Sequence, residues 1–408
     1  MKKYVLCLFV LLLLSGCGVQ KEAVPRLPWP KTETTLFVSS DLHWQENGTS
    51  ERIPYLDELI DTLLDETQRD APAALILCGD LTNGGRAEEH NEVARRLSKA
   101  EQAGVQIFVT MGNHDMDHRV ATEELEKIYG EFGFDEATSH DEDSMSYLAE
   151  LNEEIWFLSL DCNVYGEKKS ESAGTISEKT LAWVEDCLQQ ARQAGVMVVP
   201  FSHHNLLEHT LEGKSSNYNI NRGAELSRLL LDYGVPIYLS GHRHNSFIVP
   251  FEQGGRQLHE LVTDMPGAYP YRYTALRFQR DGTITYAVPG LDVDSWAVQQ
   301  GRTEEELLNF SDYSHEAAQT RTEQNAAGVA EKLTDDVSIQ TEMARFYVDF
   351  YNNYQIRNLW QEGARLRADP GLALWQKYGA ENIYGRWIPW ILQNQCNDAP
   401  EQVLGPFR

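Results

Sequence analysis

Short apolar runs that give way at once to Gly, Asp, Asn or His constrain this chain more than any other feature. They are Leu36-Phe37-Val38, Ala74-Leu75-Ile76-Leu77-Cys78, Val105-Gln106-Ile107-Phe108-Val109 and Val196-Met197-Val198-Val199-Pro200-Phe201. Runs this short, apolar at successive positions, form strands covered on both faces. Between them the period changes. Ile53, Leu56, Leu59, Ile60, Leu63 and Leu64 recur at three-four spacing, as do Leu181, Val184 and Leu188, with charges on the other faces, the pattern of helices packed on a sheet. Strand alternating with helix implies an α/β architecture. Ile155 to Leu160 and the stretch from Ser246 through Val288, punctuated by Gly254-Gly255 and Asp281-Gly282, read as further strands. A second sheet packed on the first is therefore expected.

After Pro289 the character changes. Glu304 to Ala330, Asp335 to Arg367 and a final Trp-rich stretch read as helices, with Phe346, Phe350, Tyr351 and Tyr354 as an aromatic core stripe at helical spacing. At the other end, Lys2 and Lys3 precede an apolar run from Tyr4 to Leu14, too short for a permanent span but suited to a signal peptide. Leu14-Ser15-Gly16-Cys17 resembles a bacterial lipobox, which implies that Cys17 is acylated and becomes the mature N-terminus. The expected division is a signal and lipobox over 1–17, a proline-bearing tether over 18–35, a catalytic domain over 36–289 and a helical C-terminal domain over 290–408. The chain past Cys17 is then extracytoplasmic and bound to the cell membrane through lipid alone.

Acidic residues outnumber basic ones by 62 to 35, a formal charge of −27, which argues against binding a nucleic-acid backbone. With Cys7 lost with the signal and Cys17 lipidated, Cys78, Cys162, Cys187 and Cys396 remain, at spacings that match no zinc pattern.

The chemistry-bearing residues stand directly after the apolar runs, where open α/β sheets place their ligands. Asp41-Leu42-His43 follows the first, Gly79-Asp80 the second, and Gly112-Asn113-His114-Asp115 the third. His203-His204 follows Phe201, and Gly241-His242-Arg243-His244 follows the strand Pro236 to Ser240. A lone D-x-H or G-D is usually a turn, whereas two imidazoles one residue apart on a Gly-led loop seldom serve packing. Oxygen ligands combined with imidazoles suit catalytic Mn, Fe or Zn, an all-oxygen cage would suit Mg or Ca, and thiolates structural Zn.

In order and together, these clusters resemble the complete metal-binding signature of calcineurin-like metallophosphoesterases. The resemblance implies a four-layer α/β/β/α sandwich, here with the helical C-terminal domain appended, and two divalent metal ions that share a hydroxide nucleophile. It assigns Asp41, His43 and His244 to one ion, Asn113, His203 and His242 to the other, and Asp80 to both. His203 is taken over His204 because families with an H-H run generally use the first. His114 is left to face the substrate as an acid or charge stabiliser, with Asp115 holding its ring or capping a helix. Arg243 is open to a phosphate contact or a surface ion pair.

The order lipobox, metallophosphoesterase domain, helical domain is similar to bacterial lipoproteins described as cyclic-nucleotide phosphodiesterases, so the expected substrate is a small phosphodiester. A phosphomonoesterase related to purple acid phosphatases is the enzymatic alternative, disfavoured because Gly79-Asp80-Leu81-Thr82-Asn83 carries no phenolate. A surface binding protein that has lost the chemistry is the other. A diester needs room beside the Gly241 to His244 loop, and Tyr269, Tyr271 and Tyr273 are candidates to line it, with packing as their ordinary role.

Overall fold

The computed structural model describes residues 26–46, 55–117, 120–164, 172–208, 211, 218–395 and 399–407. Cys17, the lipobox and most of the tether lie outside them. No helix among the described residues is long and apolar enough to cross a membrane.

Two sheets form the centre. The first contains β1 (Thr34–Ser39), β2 (Ala74–Cys78), β3 (Ile107–Thr110), β11 (Thr274–Phe278), β12 (Ile284–Ala287) and β13 (Glu401–Leu404), in the order β13-β12-β11-β1-β2-β3. The second runs β4-β5-β6-β7-β8-β10-β9, from β4 (Ala137–His140), β5 (Tyr147–Glu150), β6 (Ile155–Leu160), β7 (Met197–Ser202), β8 (Ile237–Ser240), β9 (Phe247–Gln253) and β10 (Arg256–Val262). β1, β2 and β3 are mutually parallel, as are β6, β7 and β8.

Alternation along the strands of the second sheet sorts its side chains between two cores. Phe157, Val199, Phe201, Leu239 and Leu261 face the first sheet and join its core, where the rings of Phe108 and Phe157 meet edge to face at 4.7 Å. Leu158, Leu160, Val198, Tyr238 and Leu258 face outward, beneath the helices Glu178–Ala194 and Gly223–Tyr233. Helices Leu56–Asp70 and Ala87–Gln102 cover the other side of the first sheet with Leu59, Leu63, Val93 and Leu97. The result is a four-layer α/β/β/α sandwich, followed by a helical region.

That region packs on its own aromatic core. Phe346, Phe350 and Tyr354 are buried with Trp375 and Ile388, and the cluster extends to Phe247 and Val262 of the second sheet. Two local expectations need correction. The stretch from Asp335 to Arg367 is two helices, Val337–Gln355 and Leu359–Ala368, separated at Arg357, which takes a left-handed backbone with φ 56°. The tail is also not helical to its end. Glu401–Leu404 returns to the first sheet and pairs antiparallel with β12, Ile284 opposite Leu404. Cys78, Cys162 and Cys187 are buried free thiols, and Cys396 lies outside the described residues.

Candidate metal centre

Every cluster singled out in the sequence emerges at the carboxyl end of a strand: Asp41 and His43 after β1, Asp80 after β2, Asn113 to Asp115 after β3, His203 after β7, and His242 to His244 after β8. Backbone hydrogen bonds carry the pairing past the strands, Asp41 N to Gly79 O at 2.9 Å, His43 N to Asp80 O at 3.0 Å and Gly241 N to His203 O at 3.1 Å. The ends of both sheets thus converge on one place.

The side chains there form three overlapping groups whose donor atoms lie within 4.8 Å of one another: Asp41 with His43 and His244, His43 with Asp80 and His114, and Asp80 with His203 and His242. Asp80 faces both histidine clusters, with Oδ2 3.2 Å from His203 Nε2 and 3.6 Å from His43 Nε2. His203 Nδ1 donates to the Cys78 carbonyl at 2.9 Å, which turns the lone pair of Nε2 toward Asp80 and toward His242 Nδ1, 2.9 Å away. On the other side His43 Nε2 and His244 Nε2 stand 3.3 Å apart, and His244 Nε2 lies 3.2 Å from Asp41 Oδ1. Asp41 Oδ1 is buried and, among the described residues, has these imidazole contacts but no hydrogen bond of regular geometry. Asn113, also buried, sits between Gly112 and His114, both of which touch Asp80.

The backbone here is strained. Asp41, His43, Asp80, His242 and His244 all have positive φ, between 46° and 68°, a region that costs a side-chain-bearing residue free energy and collects at functional sites. Close approach explains two of the glycines. A Cβ on Gly241 would stand 1.8 Å from Ser40 Oγ, and one on Gly112 would stand 2.2 Å from Asp80 Oδ1 and 2.3 Å from Asp80 N. Gly112→Ala is accordingly expected to destabilise the fold by about 1–3 kcal/mol, the usual cost of overpacking, and to lower metal occupancy. Thermal unfolding and elemental analysis would check this, and wild-type values in both would mean that the loop is not closely packed.

Charge supports a cation at the centre. Burial disfavours ionisation of Asp41 and Asp80, but His244 beside the first and His203 beside the second outweigh it, and both carboxyls are held below their ordinary range. Burial likewise lowers His203, yet Asp80 carries it up to about 9. Acids held low and imidazoles held high are the signature of a field that favours positive charge, which a divalent ion supplies in place of protons. A carboxylate shared between two imidazole clusters, with a second buried carboxylate beside one of them, fits a pair of such ions.

His204 is brought to none of these groups. It is fully buried, neither ring nitrogen has a hydrogen-bond partner among the described residues, and burial followed by the charges of His242 and His203 keeps it neutral. His114 is half-exposed, its ring edge-on to His43 at 4.7 Å. Its backbone N–H donates to Asp80 Oδ1 at 2.8 Å, and its Nδ1 donates to the Asn83 carbonyl at 2.9 Å. The ring is therefore oriented by Asn83, not by Asp115. Asp115 instead accepts from Leu81 N, Thr82 N, Thr82 Oγ1 and Gly112 N. Fully buried, it binds the Asp80 loop to the Asn113 loop, a positioning role in place of the contact with His114.

The residues missing from the sequence reading are those that brace the loops. Glu260, on β10, accepts from Leu206 N at 2.8 Å, Leu207 N at 2.7 Å and Ser240 Oγ at 2.7 Å. Asn205 Nδ2 donates to Ser240 Oγ and to the Gly241 carbonyl, both at 3.0 Å. Together they tie the His203 loop to the His242 loop. A signal existed: Leu258, Glu260 and Val262 share one face of a strand, and an acid between two apolar residues is seldom buried unless partnered. Burial pushes the Glu260 carboxyl up to about 7 despite these donors. Glu260→Ala is expected to cost about 1–3 kcal/mol for each buried donor left unpaired, visible as a lower denaturation midpoint; an unchanged midpoint would remove the bracing role.

The three tyrosines considered for a substrate room are engaged with neighbouring side chains. Tyr273 is buried against Phe37 at 4.8 Å, Tyr271 packs on Phe310 at 5.0 Å, and Tyr269 Oη lies 3.0 Å from His315 Nδ1.

Comparison with known proteins agrees with this geometry. Residues 34–246, more than half of the chain, match the model of the calcineurin-like phosphoesterases. No curated protein matches the sequence. Among solved structures, a dimetal phosphatase from Danio rerio is similar at 13% identity and a TM-score of 0.50, covering 63% of this chain and 96% of that one. A purple acid phosphatase from yellow lupin (Lupinus luteus) seeds is similar at 14% identity and a TM-score of 0.45, over 64% of this chain and 52% of that one.

Proposed function

This chain belongs to the calcineurin-like phosphoesterases, dinuclear metal-dependent phosphoester hydrolases, and on that premise we propose that it is a phosphodiesterase acting on a small diester outside the cytoplasm. The observation that carries the reading is Asp80, one carboxylate facing the histidines of both clusters. Asp41, His43 and His244 would hold one ion, Asn113, His203 and His242 the other, with Asp80 between them. Bound there, the ions would supply Lewis acidity at the phosphoryl oxygens and an activated water.

The chain's own groups do the rest. Asp80 fixes the spacing of the two clusters and, through the His114 N–H, the start of the loop that carries the acid. His114 holds a proton at Nδ1 against the Asn83 carbonyl, so Nε2 is the atom left to receive a proton from solvent and to deliver it to the departing ester oxygen. Strain in the backbone at five of the ligands keeps them preorganised, so little reorganisation is needed during reaction.

Diester preference is supported by charge. At the phosphoryl group a diester carries one negative charge and a monoester close to two, so between substrates whose other groups carry the same charge a chain with formal charge −27 repels the monoester more during encounter. Screening confines this to within about 8 to 10 Å at physiological salt. Cyclic nucleotides enter the panel of candidate substrates through similarity of architecture. Acylation of Cys17 would hold the enzyme at the membrane surface. Metal-loaded soluble protein should show kcat/KM higher for bis-aryl phosphate than for aryl monophosphate; a tenfold preference for the monoester would establish a phosphatase instead, and no turnover of either a binding protein.

A further inference from the structure

Arg243 occupies the middle of the Gly241 to His244 loop, between two of the residues that would hold the ions. Its guanidinium carbon stands 4.2 Å from the centre of the Tyr218 ring. That ring rests in turn on the His242 imidazole, centroids 5.2 Å apart. Both residues are half-buried, open on one side to solvent.

Other arginines of this acidic chain are neutralised. Arg96 meets Asp57, Asp61 and Glu92, Arg302 meets Glu58 and Glu304, and Arg345 meets Glu342 and Asp369. Among the described residues no carboxylate pairs with Arg243, and its buried Nε has no hydrogen-bond partner. An unsatisfied buried donor costs about 1–3 kcal/mol, so the position is explained neither by an ion pair nor by backbone bonding. What the stack does achieve is orientation. A guanidinium lying on an aromatic face presents its edge N–H groups in one plane, ready for two oxygens side by side. Tyr354, on the helix Val337–Gln355, stands near enough for the Arg243 charge to oppose the rise that burial imposes on its phenol. The corner therefore lies where the helical region meets the metal centre.

We propose that Arg243, seated on Tyr218, is a second anion subsite, and that the physiological diester carries a further anionic group on the ester arm that lies there. This rests on the phosphodiesterase reading and narrows it. A 3′,5′-cyclic mononucleotide has no second anion, whereas a diester bearing an additional phosphate or carboxylate does.

Calorimetric titration of manganese-loaded protein with pentylphosphonate and with 5-phosphonopentanoate, which differ in a terminal methyl against a carboxylate, tests the subsite. Wild-type protein should bind the carboxylate form about tenfold more tightly, the scale of one or two hydrogen bonds to a charged group. The ratio should fall to about one in Arg243→Gln and in Tyr218→Ala, and persist in Tyr218→Phe, whose ring still carries the guanidinium. Equal wild-type affinities, or a preference that survives Arg243→Gln, overturn it. Hydrolysis of bis-aryl phosphate by the same preparation separates the two proposals: turnover with no carboxylate preference removes the subsite alone, and an Arg243-dependent preference with no turnover keeps the subsite and removes the phosphodiesterase.

Discussion

Replacing Asp80 by Ala is expected to strip the protein of bound metal and reduce turnover by about 10³-fold or more, at least the loss seen when one preorganised charge-stabilising group is removed from an active site. Asp80 is the member common to the group containing His43 and the group containing His203 and His242. Its carboxylate is almost fully buried and also receives the His114 N–H. Deleting it leaves His203 and His242 converging without the carboxylate they share with His43, Asp41 remaining beside His43 and His244, and the cations lose half of the carboxylate charge that compensates their dehydration. Asp80→Asn separates geometry from charge, since the amide keeps an acceptor for His114 in nearly the same volume. Elemental analysis of both variants beside a diester assay is decisive: two equivalents of metal retained in Asp80→Ala would end the shared-ligand role.

For His114→Ala the expected result is a folded protein with near-normal metal content and turnover lower by about 10² to 10⁴, or roughly 3 to 5 kcal/mol of transition-state stabilisation. The backbone N–H that serves Asp80 survives the substitution, so the metal groups should keep their shape. A competing geometry exists, because His114 lies within ligand distance of His43 and Asp80. If His114 held an ion, the loss would follow metal occupancy and excess metal would restore it. A loss that excess metal leaves untouched identifies the proton-transfer role.

Much of the fold was legible because its signals are local. Strand runs such as Ala74 to Cys78 and the helical spacing from Leu56 to Leu64 are set by which side chains must face away from water, and a few neighbours decide that. β13 was not. Glu401-Gln402-Val403-Leu404 has one buried side chain, and it is a strand only because β12 presents an unpaired edge beside it.

The candidate site divides in the same way. Sequence by itself determined which residue types gather, since carboxylate, amide and imidazole at strand ends admit few chemistries besides divalent metal binding. Residue type alone did not separate His203 from His204, and the choice of His203 rested on resemblance; adjacent residues on an extended chain point to opposite faces, so only one of the two can face the site. Tertiary structure chose: Val199 and Phe201 face the inter-sheet core, and His203, in step with them, points at the Cys78 carbonyl and Asp80 while His204 does not. The orientation of His114 by Asn83, the diversion of Asp115 to the backbone of the neighbouring loops, the Glu260 and Asn205 brace, and the stacking of Arg243 on Tyr218 all depend on loops far apart in the chain meeting at one sheet edge. Hydrogen bonds and stacking act only over a few ångströms, so their partners are fixed by that meeting and by nothing local in the sequence.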